Sequence, residues 1–140
     1  MTVLFSRKCE YALQGILYLA EKRDQGNIPA EQIASDLNIS REFISKTLQS
    51  LVQVGIIQSY RGKSGGFSLN KDPSSMTLLD IVLIVDGNSV FESCVLGLPS
   101  CGSDSPCPVH EKWGPIREKS REMLANTTVA QFKPITRGEK

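Results

Sequence analysis

Cys94, Cys101 and Cys107 fall within fourteen residues of chain, and His110 follows the last of them by three positions. Glycine, proline and serine fill the gaps, which lets the backbone fold the thiols toward a common centre. Thiolates are soft ligands of the kind that iron–sulfur clusters and zinc select. Three cysteines leave such a centre one donor short, so a fourth ligand must come from elsewhere in the protein. His110 is close enough to share a metal with Cys107, as an imidazole in some two-iron clusters or as the last member of a Cys₃His zinc set. Cys9, the remaining cysteine, is a further candidate for the fourth position, although it lies in an apolar helical stretch where a small buried side chain is its plainest role.

The rest of the composition bears on which chemistry the thiols do. The chain has 140 residues and 40 % hydrophobic content, enough for a modest core. Arg7, Lys8 and Glu10 interrupt the apolar stretch near the N-terminus, and no run reaches the length of a membrane span. A cytoplasmic protein with no membrane partner is expected. In that compartment thiols stay reduced, and a cysteine cluster points to metal binding or redox sensing rather than to structural disulfides. A thiol–disulfide enzyme would need a Cys-x-x-Cys pair on a βαβ framework, and the chain has neither signal, so it is not read as an enzyme.

The formal net charge of +1 gives no global sign of nucleic acid. Locally, five basic residues (Arg41, Lys46, Arg61, Lys63, Lys71) stand against two acidic ones (Glu42, Asp72) between positions 41 and 72. Such a patch binds phosphate even on a neutral protein, although a solvated surface has the same composition.

Apolar spacing predicts helices over 6–22, 30–37 and 41–54. Pro29 opens the second, Asn38-Ile39 makes a tight turn, and Ser40 caps the third with Glu42 in its first turn. Two short strands, 56–61 and 67–69, flank a glycine-rich tip and read as a β-hairpin. Thr77 caps a fourth helix reaching about Val85, with Asp80 placed for a capping box. A last helix is expected from about Val109 to Ala125, with Val109, Trp113, Ile116, Met123 and Leu124 on one face. Pro115 sits inside it, where proline lacks a donor and crowds the preceding turn, so a break at Gly114-Pro115 is the favoured expectation.

Helix, tight turn, helix and glycine-tipped hairpin make the plan of a winged helix-turn-helix, a mainly α fold with a small two-stranded β wing. The second helix of such a pair lies in the major groove and presents its N-terminal residues to base edges. Here these are Ser40, Arg41, Glu42, Ser45 and Lys46. Arg41 could take a guanine edge or a phosphate, and Lys46 suits the backbone. Arg61 and Lys63 at the wing tip suit phosphates or the minor groove. A winged-helix adaptor that binds protein instead of DNA has the same outline.

Particular strings narrow the field. Phe5-Ser6-Arg7-Lys8-Cys9-Glu10-Tyr11-Ala12 resembles the opening of the Rrf2 family of bacterial winged-helix regulators. So does Ile56-Ile57-Gln58-Ser59-Tyr60-Arg61-Gly62 followed by Gly65-Gly66-Phe67-Ser68-Leu69. The cysteine loop with its trailing His110 resembles the cluster-binding branch of that family, and the likeness runs over 3–132. The resemblance implies a transcriptional regulator, a repressor by expectation, sensing redox state, nitric oxide or iron–sulfur status. It favours an iron–sulfur cluster (2Fe–2S or 4Fe–4S) on Cys94, Cys101 and Cys107 over zinc or cluster-free reactive thiols. It also implies a homodimer with crossed C-terminal dimerisation helices, bound to double-stranded DNA at an imperfect palindrome. In relatives a carboxylate from the first helix crosses to the partner's cluster, which places Glu10 slightly ahead of His110 as fourth ligand. The organisation expected is then a DNA-binding domain over 1–72, a cysteine loop and dimerisation helix over 73–132, and a disordered tail over 133–140. Two features depart from the family. The first cysteine gap, Val95 to Ser100, is one residue longer than usual, and Pro115 interrupts the last helix.

Overall fold

Ser6 starts the first helix as a capping hydroxyl should. Its Oγ accepts from the Cys9 N–H at 3.0 Å, while its own N–H and O–H donate to the Asp86 carboxylate at 2.9 and 2.6 Å. The protein is described by a computed structural model covering residues 5–91, Leu96 and 109–132. From Ser6 the chain runs through α1 (Arg7–Glu21), α2 (Ala30–Leu37) and α3 (Arg41–Gln53). It continues through β1 (Ile57–Tyr60), β2 (Gly66–Leu69), α4 (Leu78–Asp86) and α5 (His110–Ala125). The fold is mainly α with one two-stranded antiparallel sheet, a winged helix-turn-helix.

The α2–α3 turn works through two capping residues. Asn38 adopts the left-handed conformation (φ 57°), which asparagine tolerates, and its N–H closes back on Ala34 and Ser35. Ser40 then caps α3 by accepting from the Phe43 N–H at 3.2 Å. Ile44, Thr47, Leu48 and Leu51 form the buried face of α3, which packs on α1, α2 and β1. At the crossing with α1, Gly15 permits close approach: a Cβ there would stand 3.1 Å from Leu48 Cδ2.

The hairpin is joined by a contact that the sequence pattern does not announce. Ile28, in the loop before α2, exchanges hydrogen bonds with Phe67 at 2.9 and 2.8 Å and forms a one-residue bridge beside β2. Asn27 Nδ2 donates to the Ser64 carbonyl at 3.2 Å, so the same loop also holds the wing tip. A second bridge, Thr77 to Thr128, returns the chain after α5 to the start of α4. There Thr77 and Asp80 form the expected capping box.

The helix break expected at Pro115 does not occur: α5 runs unbroken through it. Helical geometry is already established by Val109, whose carbonyl accepts from the Trp113 N–H at 2.8 Å. Pro115 removes only the one donor that would have reached Glu111. Gly114 lacks the Cβ that would otherwise crowd the proline ring. The apolar face of α5 is also only partly used within one chain. Leu124 is buried, whereas Ile116 and Met123 are 55 % and 58 % exposed, near in kind to Ile84 on α4 at 48 %. A small second core gathers Cys9, Val82, Phe91 and Leu124, apart from the main core of α1, α2, α3 and the wing.

Candidate nucleic-acid interface and cysteine site

With the inner side of α3 fixed in the core, its outward residues follow. Ser40, Arg41, Glu42, Phe43 and Lys46 are exposed, and Ser45 is half-buried. All five α3 and cap positions expected at base edges therefore lie at the accessible N-terminal end of one helix. Arg41 is not free there: its Nε lies 3.1 Å from Oε2 of Glu31 on α2. Two residues in this region carry no signal as sequence. Glu31 belongs to a different helix, and Phe43 reads as the flank of an apolar stripe. Phe43 is 61 % exposed, its ring tilted at 6.2 Å against Tyr11, and an exposed aromatic there can meet a thymine methyl.

The wing brings Arg61 and Lys63 out on either side of Gly62, and both are exposed. Gly62 takes φ +99° and its carbonyl accepts from the Gly65 N–H at 3.0 Å, closing a tight tip. Gly66 takes φ +141°, and a Cβ on it would collide with the Ile28 carbonyl and lie 2.8 Å from Pro29 N. The bridge to Ile28 thus requires glycine at this position.

Cys94, Cys101 and Cys107 lie outside the described residues, so their arrangement is not part of this geometry. The chain on either side of them is. Phe91, three residues before Cys94, belongs to the same second core as Cys9, the sequence neighbour of Glu10. Glu10 is half-buried in the first turn of α1, and His110 is the first residue of α5. Cys9 is fully buried and unpaired. Burial, then the nearby Asp86 and Glu10 charges, pushes its thiol up to about 12. A thiol so placed packs as a small apolar group. Arg121 closes the far side of the second core, its guanidinium 5.4 Å above the Phe91 ring.

No helix among the described residues is long and apolar enough to cross a membrane. A family model for Rrf2, described as an iron-dependent transcriptional regulator, matches residues 5–134. Among curated proteins, one of Aquifex aeolicus described as an HTH-type transcriptional regulator is 34 % identical over 129 residues, 91 % of this chain and 89 % of that one. The HTH-type transcriptional regulator IscR of Klebsiella pneumoniae is 28 % identical over 125 residues, 89 % of this chain and 76 % of its own. Among solved structures, CymR, the global cysteine regulator of B. subtilis, superposes with a TM-score of 0.74 at 26 % identity, covering 92 % of this chain and 95 % of that one.

Proposed function

The chain belongs to the Rrf2 family of DNA-binding transcriptional regulators, whose members are not enzymes, and on that premise we propose a cytoplasmic repressor that senses iron–sulfur or redox status through its cysteine loop. The observation that carries the sensing half is the donor set, three cysteines within fourteen residues of sequence in a family described as iron-dependent. Cys94, Cys101 and Cys107 would hold an iron–sulfur cluster, with Glu10 as fourth donor ahead of His110. A bound cluster would supply a link that oxygen, nitric oxide or iron shortage breaks. The chain's own residues supply the relay. Phe91, shortly before the cysteines, shares the second core with Cys9 of the first turn of α1, and Gly15 lets α1 approach Leu48 and Ile44 of α3 closely. A pull on Glu10 therefore acts on a rigid helix that abuts the recognition helix, and a coupling of about 1–3 kcal/mol suffices for a switch.

The exposed apolar residues Ile84, Ile116 and Met123 on α4 and α5 support a homodimer through that face, which sets two recognition helices on an imperfect palindrome. One specific observation favours a second reading, cluster-free reactive thiols: the likeness to a protein named as a global cysteine regulator. Iron and sulfide content separates the two.

The DNA half is tested by titrating the dimer, with its mass confirmed by light scattering, against duplex recovered from a random pool. Arg41→Ala should weaken the recovered duplex by roughly 1–3 kcal/mol and relax its sequence preference. Lys63→Ala should weaken all duplexes by a similar factor and lower the salt slope by about 1. A monomer on DNA, or binding indifferent to salt, contradicts this assignment.

A further inference from the structure

The Glu31–Arg41 ion pair has no evident use in the fold. Both side chains are about two-thirds exposed, at 67 % and 63 %, and an exposed pair adds little to stability. Its consequence is geometric. A free arginine at a helix start samples many rotamers and must surrender them when it docks, whereas one already held loses less. Glu31 engages Arg41 through Nε at 3.1 Å. That contact leaves the two terminal amino groups, the fork that matches O6 and N7 of guanine, for a base edge. The carboxylate itself rests on a fixed support, since Glu31 lies in the first turn of α2 and Pro29 sets the start of that helix.

We propose that Glu31 is a positioning residue, holding the Arg41 guanidinium in the attitude that reads a guanine and so setting sequence preference without touching DNA. The inference rests on the proposal that α3 reads bases through Arg41. It carries a distinctive signature. A carboxylate close to DNA repels phosphate on every sequence alike, so Glu31 lowers general affinity while raising discrimination. A merely structural residue would move both together.

The experiment measures affinity for a duplex recovered from a random pool on the wild-type protein, and for the same duplex with its half-sites scrambled. It uses Glu31→Ala, Glu31→Gln, Arg41→Ala and the double Glu31→Ala/Arg41→Ala variant. Glu31→Ala should bind the scrambled duplex more tightly than wild type while losing about three- to tenfold of its preference, a fraction of what one bidentate contact is worth. Glu31→Gln, which keeps an acceptor for Nε without the charge, should retain most of the preference. In the Arg41→Ala background Glu31→Ala should cost no further preference. If Arg41→Ala loses preference and Glu31→Ala keeps it, the positioning role is overturned while base reading by α3 stands. If Arg41→Ala itself keeps wild-type preference, base reading by Arg41 fails and takes the positioning role with it.

Discussion

Alanine at any one of Cys94, Cys101 or Cys107 should strip iron and sulfide from protein purified without oxygen and abolish its visible absorption. Each substitution removes a thiolate, the strongest class of donor in the set, and no spare cysteine replaces it. The fourth cysteine of the chain is Cys9, which is buried in the second core with Val82, Phe91 and Leu124. Glu10→Ala should behave differently. Three thiolates still hold the cluster and water or His110 can take the open position, so the cluster forms with an altered spectrum and a shorter lifetime. His110→Ala should then be silent. The opposite ranking, with His110→Ala altered and Glu10→Ala unchanged, would move the fourth ligand to α5. Cysteine variants that keep wild-type iron and sulfide would remove the loop from the account altogether.

Gly66→Ala should damage the wing strongly, costing about 2–4 kcal/mol of stability and weakening all DNA binding. Two effects add. The residue holds φ +141°, a conformation that side chains rarely adopt, and the added methyl would overlap the Ile28 carbonyl. Relief requires the β2–Ile28 bridge to part, which releases the hairpin that carries Arg61 and Lys63. Gly62→Ala provides the comparison. Gly62 also has a positive φ, +99°, but nothing lies within 4 Å of its missing Cβ. Its cost should be about 1 kcal/mol, the backbone strain alone. Urea unfolding of both variants, followed by titration on duplex DNA, checks the difference; equal stabilities would mean that the Ile28 contact does not constrain the wing.

Much of the fold was legible in the sequence because its signals are local. Ser40 and Thr77 cap where a hydroxyl before an apolar period should, Pro29 opens α2, and α1 begins one residue after position 6, with Ser6 as its cap. Asn38 in the left-handed conformation closes the turn that its position suggests. The features that escaped are of two kinds. Some are contacts between segments distant in sequence: the Ile28–Phe67 bridge is a single residue long, too short for any period, and the Glu31–Arg41 pair joins two helices through surface groups. The other kind is a wrong weighing of a local signal. Proline at 115 predicts a break, yet one lost donor beside a Cβ-free Gly114 does not stop a helix that has already been nucleated. The site divides in the same way. The exposed ends of α3 and the wing follow from burying Ile44, Leu48 and Leu51, so their accessibility was readable. Which donor completes the cysteine set was not, because ligation depends on where distant segments meet.

The central claim is that the state of the cysteine loop governs affinity for DNA. The direct measurement takes the full chain purified without oxygen, determines iron and sulfide per protomer, and titrates it on a duplex recovered from a random pool. The titration is repeated on the same sample after chelation has removed the iron. The account predicts stoichiometric iron and sulfide and an affinity that shifts about tenfold or more on their removal. Iron-bearing and iron-free protein binding the same duplex with equal affinity would contradict it.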